Sequence, residues 1–109
     1  MSIFTERVIK AALSIPKGRV TTYGRIARAA GSGGMAAQSI GRVLGKADAL
    51  AESTGSKRIP FHRIVYANGK IWVDDAHRKE RMQLYRAEGI VVDKNDRIKN
   101  FYDIVLDFN

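Results

Sequence analysis

The chemistry open to this sequence is limited first by the absence of cysteine from all 109 residues. Without a thiol the chain can form no disulfide, no thiolate metal site and no cysteine nucleophile. His62 and Glu88 are of residue types that together could activate a water molecule for hydrolysis. No organised nucleophile or metal-binding cluster accompanies them in the sequence, so the residues favour a binding protein over an enzyme.

Positive charge is concentrated in the first half of the chain. The net charge is +8; residues 1–50 hold eight Lys/Arg against two Asp/Glu, and residues 51–109 hold eleven against nine. A basic half of this kind indicates a polyanionic partner such as nucleic acid. No apolar run approaches the roughly 18 residues of a membrane span, and residues 1–6 do not begin a signal peptide. We therefore expect no membrane association and a cytoplasmic, nucleoid-associated or nuclear location.

Three helices are predicted in that basic half. Residues 3–14 carry apolar side chains at helical spacing, and residues 19–22 are expected to be extended. Thr22 is a good N-cap for a second helix over residues 23–30. A third helix is predicted from Met35 to about Ala49. Two short helices joined by a tight, glycine-containing turn are typical of a helix-turn-helix.

The third helix has one apolar face and two glycines. Its buried face is predicted to consist of Ala36, Ile40, Val43, Leu44 and Ala47. Gly41 and Gly45 lie four residues apart, and each costs about 1 kcal/mol relative to alanine in an exposed helix. We expect this cost to be offset by a close approach, either to another helix or to a ligand.

The second half is predicted to add a hairpin and a fourth helix. A polar loop over 51–58 precedes an extended segment at 59–66. Asn68-Gly69 favours a two-residue hairpin turn that joins residues 64–67 to residues 70–73.

Helix four is expected over residues 75–87, with Gly89 just beyond its end. Arg78, Lys79 and Arg81 are interpreted as its solvated face, and residues 90–109 as a short strand or loop. Three helices and a hairpin form a winged-helix module, which meets nucleic acid through its third helix and its wing. The predicted fold class is therefore a small α/β single domain, spanning residues 1–109, of winged-helix type.

Four motifs, in matching order and spacing, resemble one family. Residues 15–24, Ile-Pro-Lys-Gly-Arg-Val-Thr-Thr-Tyr-Gly, resemble the opening signature of the DNA-binding domain of the O6-alkylguanine-DNA alkyltransferases. Ile40-Gly41 resembles the Val-Gly of the recognition helix, and Ala87-Glu88-Gly89 resembles the closing Glu-Gly. Residues 59–65, Ile-Pro-Phe-His-Arg-Ile-Val, resemble the active-site motif Ile-Pro-Cys-His-Arg-Val-Val. The resemblance extends from about Phe4 to Val91.

The resemblance implies recognition of a lesion without its repair. The family transfers an alkyl group from O6 of guanine to its own cysteine thiolate, while a His relays the proton and a Glu orients the His. His62 and Glu88 match those two positions, but Phe61 stands where the nucleophile should be. The chain thus resembles the cysteine-free alkyltransferase-like proteins, which implies non-enzymatic binding of O6-alkylguanine in duplex DNA and transfer of the site to nucleotide excision repair.

Matching positions supply candidate sites for the base and for the DNA backbone. The residues expected at the base pocket are Tyr23, Phe61, His62, Arg63, Trp72 and Glu88. The residues expected to contact DNA are Arg19, Thr22, Arg25, Gln38, Ser39, Gly41, Arg42 and Lys46. Ordinary structural roles compete at several of these positions: a core aromatic at Phe61, loop-holding hydrogen bonds from His62 and Arg63, and a strand tryptophan at Trp72.

The sequence departs from the family at Gln38, where the resemblance places an arginine that enters the duplex and fills the gap left by the flipped base. Glutamine is shorter and uncharged, and it lacks the stacking and multiple donors of guanidinium. A register shift of one residue would place Ala37 there instead. Neither alignment restores an arginine, so base flipping is expected to be weaker.

Two other functions remain open at this point. The chain could be a winged-helix regulator or architectural protein without lesion specificity, or an enzyme in which His62 and Glu88 activate water. We expect no cofactor and no metal. The expected partners of a monomeric protein are double-stranded, alkylated DNA and nucleotide excision repair proteins.

Overall fold

Short helices and very short strands alternate along the chain. The computed structural model describes residues 2–31 and 37–108, and of residues 37 and 38 the backbone alone. The elements are α1 (Ile3–Leu13), β1 (Thr21–Thr22), α2 (Tyr23–Ala29), α3 (Ala37–Thr54), a 3-10 turn (Phe61–Arg63), β2 (Ile64–Val65), α4 (Arg78–Ala87) and α5 (Phe101–Ile104).

The first two helices begin at side-chain caps, as their sequences require. The Ser2 hydroxyl accepts from the Thr5 N–H, and the Thr22 hydroxyl accepts from the Arg25 N–H. Each cap satisfies one of the amide groups that a helix leaves free at its start. The predicted helices 3–14 and 23–30 and the N-cap at Thr22 are therefore confirmed.

The third helix is longer than the sequence suggested. It continues to Thr54, so the predicted end at Ala49 and the loop from residue 51 are wrong, while the predicted start at Met35 lies outside the described residues. Ala51 is buried, and Gly55 ends the helix with φ +74°. The Ser56 N–H donates to the Ala51 carbonyl at 2.9 Å, which closes a Schellman-type end.

The two strands form a wall between two apolar cores. β1 and β2 pair in parallel, with Thr21 opposite Ile64 and Thr22 opposite Val65. Neighbouring residues of a strand face opposite sides. Accordingly, Ile64 packs into a core formed with α1, α2 and α3, whereas Val65 packs into a second core with Tyr85 and residues of the C-terminal segment. The predicted buried residues Ile40 and Leu44 lie in the first core.

The predicted hairpin is reduced to a turn. The Gly69 N–H donates to the Tyr66 carbonyl at 2.8 Å and the Tyr66 N–H to the Lys70 carbonyl at 3.0 Å. Gly69 has φ +84° and Asn68 does not have a positive φ, so the loop has three residues and not two. Beyond the turn, Lys70 pairs with Arg97 and β2 pairs with β1. The extended segment predicted at 59–66 is likewise interrupted by the 3-10 turn.

Helix α4 starts three residues later than predicted, because Asp74 forms a turn before it. The Asp74 carboxylate accepts from the His77 N–H at 2.9 Å. At the other end the Ile90 N–H donates to the Tyr85 carbonyl at 3.0 Å, and Gly89 has φ +73°. Gly89 therefore ends the helix as predicted.

The C-terminal segment closes over β1. The Val20 N–H donates to the Ile104 carbonyl at 3.2 Å, and the Leu106 N–H donates to the Val20 carbonyl at 2.7 Å. The Thr21 hydroxyl adds a hydrogen bond to the Leu106 carbonyl at 2.8 Å. The arrangement is a small α/β fold, in agreement with the predicted class. None of the helices in the described residues is both long and apolar enough to cross a membrane.

Candidate nucleic-acid interface

One buried carboxylate joins three distant segments of the chain. Glu88, whose side chain is 6% exposed, accepts from the Gly18 N–H at 3.0 Å and contacts His62 Nε2 at 2.5 Å. Arg63 donates to both carboxylate oxygens, at 3.0 and 3.1 Å from Nε and 3.0 Å from Nη2. The carboxylate therefore fixes the loop after α1, the 3-10 turn and the end of α4 together.

The local structure at Glu88, Gly18 and Arg63 explains how these residues come together. Glu88 is the C-cap residue of α4, and the turn at Gly89 directs the chain back toward the core. Gly18 has φ +83°, which glycine adopts without strain. Arg63 also donates from Nη1 to the Ile15 carbonyl at 2.8 Å, so it bridges the end of α1 and Glu88. The structure gives Arg63 a structural role.

The network has a defined charge state. Burial raises the pKa of Glu88, but hydrogen bonds from Arg63, His62 and the Gly18 N–H outweigh it and hold the pKa at about 2. Burial lowers the pKa of His62, and Glu88 opposes this effect only in part. At neutral pH Glu88 is therefore an anion, and the lowered pKa of His62 favours its neutral form. Because a carboxylate only accepts, His62 must carry its proton on Nε2.

The two aromatic residues expected at the base pocket share the first core. Phe61 and Tyr23 are both half-buried and both pack against the cluster formed by α1, α2 and α3. Burial raises the pKa of Tyr23; the neighbouring Tyr66 adds to this effect, and Arg81 opposes it. Tyr23 stands at the first position of α2, and Phe61 immediately precedes His62. The Glu88 network therefore holds the backbone beside Phe61.

Trp72 lies in a cleft beside these residues and is 52% exposed. The cleft has a volume of about 260 Å³ and is lined by Trp72, Asp74, His77, Glu80, Arg81 and Leu84. The charge of Arg81 acts on both Tyr23 and His62, which places the cleft next to the aromatic residues and the network. Trp72 is not a buried strand residue, so the competing interpretation for it is wrong.

Arg81 is a residue that the sequence interpretation missed. The sequence interpretation places it on a solvated face, yet it is half-buried, and its charge opposes the burial that raises the pKa of Tyr85, one helical turn later. Arg78, from the same predicted face, pairs with Asp96 at 2.9 Å. The signal available in the sequence was the four-residue spacing between Arg81 and Tyr85, which places both on one side of a helix.

Three residues predicted to contact DNA have partners within the protein. Arg19 donates to the carbonyls of Ile104 and Val105 at 2.8 and 3.0 Å. Arg25 pairs with Asp107 at 2.5 Å. The hydroxyl of Thr22, a buried residue, accepts the helix-capping hydrogen bond. These contacts favour structural roles for all three, since they hold each side chain in place within the protein.

Three predicted DNA contacts on α3 lie on the surface of the protein. Ser39, Arg42 and Lys46 are exposed. A Cβ atom built at Gly41 or Gly45 meets no other group within 4 Å in the described part of the chain. Packing against another helix of the described residues therefore does not explain these glycines, and the close approach of a ligand stays a prediction. The side chain of Gln38 lies outside the described residues.

No group of three His, Cys, Asp or Glu residues that could hold a metal ion occurs in residues 2–31 and 37–108. In the network, one nitrogen of His62 and both oxygens of Glu88 are engaged in hydrogen bonds. Their arrangement holds the loop in place and presents the half-buried ring of Phe61 beside it.

Comparison with known proteins gives a consistent set of relatives. The family model described as 6-O-methylguanine DNA methyltransferase, DNA binding domain, matches residues 3–90. A DNA base-flipping protein of Vibrio parahaemolyticus is 37% identical over 98 residues, covering 90% of this chain and 91% of that protein. A protein of the same name from Escherichia coli is 36% identical over 95 residues, covering 87% of this chain and 68% of that protein.

A solved structure is similar over nearly its whole length. The crystal structure of Atl1 of S. pombe, in complex with damaged DNA containing O6-carboxymethylguanine, superimposes with a TM-score of 0.70 at 26% identity. The match covers 97% of this chain and 96% of that one. The similarity of fold therefore includes the C-terminal segment that closes over β1.

The Glu88 network predicts how stability depends on pH. The pKa of Glu88 is about 2 in the folded protein against an ordinary 4.5, so its contribution is fully present above pH 4.5 and is lost as pH falls toward 2. Glu88→Gln should lower the free energy of unfolding at pH 7 by about 3 kcal/mol, because it leaves Arg63 without its buried partner. Urea unfolding at pH 7 and at pH 3 measures the effect, which should be smaller at pH 3.

Glu80→Gln is the matched control, since it removes an exposed carboxylate from the same helix. It should change stability by less than about 0.5 kcal/mol. Equal losses for the two variants, or a loss for Glu88→Gln that does not depend on pH, would contradict the assigned role of Glu88.

Proposed function

The chain belongs to the family of the 6-O-methylguanine DNA methyltransferase DNA-binding domain, and from this membership we propose that it binds damaged duplex DNA. It recognises an O6-alkylated guanine that has turned out of the helix, and it does not remove the alkyl group. The recognition is non-enzymatic.

The observation that carries this proposal is Phe61 beside an intact network in a chain without cysteine. Alkyl transfer in the family requires a thiolate, and no residue of this sequence can supply one. The groups around the reacting position, His62, Arg63 and Glu88, are nevertheless present and hydrogen-bonded. Such a site retains its shape without its chemistry. Phe61 gives it an apolar surface suited to an alkyl substituent.

Extrusion of the base needs groups that offset the lost pairing, which costs a few kcal/mol. Tyr23 is in place to push the nucleotide out of the stack at the start of α2. Trp72 offers an exposed indole ring on which a base can stack. Arg81 lines the same cleft as Trp72, its charge acts on Tyr23, and its guanidinium offers hydrogen-bond donors. The names of the bacterial relatives, DNA base-flipping proteins, support the same action here.

Contacts to the phosphates come from α3. Arg42 and Lys46 are exposed along it, and Ser39 lies in its first turns. Gly41 lets a DNA strand approach the helix backbone closely. These contacts give affinity without sequence preference.

A lesion that is bound and not repaired must be passed on to another activity. We expect this to be nucleotide excision repair, whose proteins would be partners of the monomeric chain on DNA in the cytoplasmic nucleoid or the nucleus. No cofactor is required for such a role.

A binding titration with matched duplexes tests the function. A fluorescent duplex with one O6-methylguanine should bind about tenfold more tightly than the unmodified duplex, a difference of about 1.4 kcal/mol. Both affinities should fall steeply as salt is raised. Radiolabelled methyl groups should stay on the DNA after long incubation.

Tyr23→Ala is expected to erase the preference for alkylated DNA and to spare most of the binding to plain duplex. Tyr23→Phe keeps the ring that packs on the core, so it should retain the preference and controls for misfolding. Equal affinity of the unaltered protein for both duplexes would instead identify a DNA-binding protein without lesion recognition. Label on the protein or released methanol would show an enzyme.

Gln38 is proposed to make this protein a weaker base flipper than relatives with arginine there. Gln38→Arg should tighten binding to the O6-methylguanine duplex by about fivefold, or about 1 kcal/mol, because guanidinium stacks on and donates to the orphaned base. Plain duplex should gain less, since its base pair must also be broken. A fluorescent base analogue beside the lesion reports extrusion. If neither affinity nor extrusion changes, Gln38 does not occupy the intercalating position.

Gly41 allows stability and DNA binding to be separated. Gly41→Ala should stabilise the protein by about 0.5–1 kcal/mol, because alanine favours the helix and meets open space. The same variant should bind DNA about tenfold more weakly if a strand passes over the glycine. Thermal unfolding and the duplex titration measure the two effects. Gly45→Ala, one turn further from the start of α3, should show a similar stability gain and a smaller loss of affinity; unchanged DNA affinity in both would place the DNA elsewhere.

A further inference from the structure

An apolar groove lies between α1 and the C-terminal half of α3. It has a volume of about 880 Å³, and its apolar lining comes from Ile9 and Leu13 of α1 and from Val43, Ala47 and Leu50 of α3. Leu50 is 60% exposed. Exposed apolar surface that is continuous in this way marks an interaction site in soluble proteins.

The groove is held open by its own hydrogen bonds. Its floor is the segment from Ser56 to Ile59, which follows α3. The Ile59 N–H donates to the Asp48 carboxylate at 2.9 Å, and Arg58 donates to both oxygens of the same carboxylate at 2.8 Å. Across the groove, Lys57 Nζ donates to the Leu13 carbonyl at 3.1 Å. A partner therefore meets a preformed surface and loses little free energy in ordering it.

The dimensions suit a helix. Thr5, Ile9 and Leu13 are spaced by four residues and line one wall over about 12 Å, at 1.5 Å per residue. The α3 wall runs from Val43 to Thr54, about 16 Å by the same rise. A partner helix of two to three turns matches these lengths, with apolar anchors at i, i+4 and i+7.

The charges around the groove indicate which charge a partner should carry. Lys46 and Lys57 line it, and Lys10 lines a shallow depression that continues from it past Ile9 and Leu13. Within the described residues, the side-chain ammonium groups of Lys10 and Lys46 make no hydrogen bond and no ion pair. Glu6, at the side of the depression, is the single acidic residue that lines either surface in the described chain. The rim is therefore cationic.

A second copy of the chain fits this rim poorly. Each copy carries a net charge of +8, so two copies repel each other. Helix α4 has an exposed Leu84 that could enter a groove, but it carries four basic residues and one acidic residue. Its insertion would bring like charges together at Lys46 and Lys57, which costs affinity.

We propose that this groove binds an amphipathic helix of a partner protein, with apolar anchors on one face and acidic residues beside them. The inference goes beyond lesion recognition, since it concerns a protein partner at a different surface. The groove is lined by α3 from Val43 to Thr54, whereas the proposed DNA contacts at Ser39, Gly41 and Arg42 precede this stretch. Lys46 is the proposed DNA contact that also lines the groove.

The test uses a fluorescein-labelled synthetic peptide of 16 residues, with Leu at three positions spaced i, i+4 and i+7, Glu beside them and Ala elsewhere. Fluorescence anisotropy with the full chain should give a dissociation constant at least about tenfold lower than that of the same peptide with Lys for Glu. Leu50→Asp should weaken binding of the acidic peptide about tenfold, and Leu50→Ser less, because serine removes the contact without adding a charge.

Val91→Asp is the matched control, because it makes the same charge change at an exposed apolar residue away from the groove. It should leave peptide binding within about twofold, and Leu50→Asp should leave affinity for duplex DNA within the same range. Failure of the acidic peptide to bind, equal binding of the lysine peptide, or equal effects of Leu50→Asp and Val91→Asp would overturn the proposal. A concentration-dependent dimer in sedimentation velocity that is lost in Leu50→Asp would overturn it in favour of self-association.

Discussion

The Glu88 carboxylate is the interaction on which the arrangement of the site depends. It lies at the end of α4, yet its partners are Gly18, 70 residues earlier, and the pair His62 and Arg63, 26 and 25 residues earlier. Burying a carboxylate is costly unless every oxygen finds donors, and here both oxygens do. The same anchors position the aromatic residues, because Phe61 adjoins His62 and Tyr23 begins the helix that follows the Gly18 loop. The shape of the site therefore does not depend on a thiol, since the side chain of Phe61 takes no part in this network.

The C-terminal segment has a comparable effect on the electrostatics. Arg19 and Arg25, two of the basic residues of the first half, hold that segment through the carbonyls of Ile104 and Val105 and the carboxylate of Asp107. Their charge still contributes to long-range attraction of a polyanion, but part of each guanidinium is engaged within the protein. The basic side chains that are exposed on α3 are Arg42 and Lys46. The net charge of the sequence thus overstates how many phosphates the protein can hold directly.

Features set by neighbouring residues were predictable, and those set by distant ones were not. The N-cap at Thr22 and the helix end at Gly89 depend on local hydrogen bonds, and both are confirmed. The hairpin at Asn68-Gly69 was wrong because residues 70 and 71 find their partners at 96 and 97, and β2 finds its partner in β1. The end of α3 was misplaced because the polar residues after Ala49 concealed a helix that continues to the glycine at 55. The resemblance to the alkyltransferase family was confirmed. The partners of Arg19 and Arg25 could not be predicted, because they lie more than 80 residues away and are fixed only by the tertiary fold.

The two sides of helix α3 require different types of residue. Its buried side needs large apolar residues, which Ile40 and Leu44 provide with complete burial. Its outer side carries Gly41 and Gly45, which weaken the helix, and a Cβ atom at either would meet no other group of residues 2–31 and 37–108 within 4 Å. A helix of 18 residues can tolerate these glycines because tertiary packing, and not intrinsic propensity, supplies most of its stability.

The part of α3 beyond Ala49 adds Leu50 and Ala51 to the wall of the groove that faces α1. One rigid helix thereby presents a backbone suited to close approach at its start and an apolar groove at its end, about 15 Å apart at 1.5 Å per residue. The two surfaces meet at Lys46, which lines the groove and is also a proposed phosphate contact.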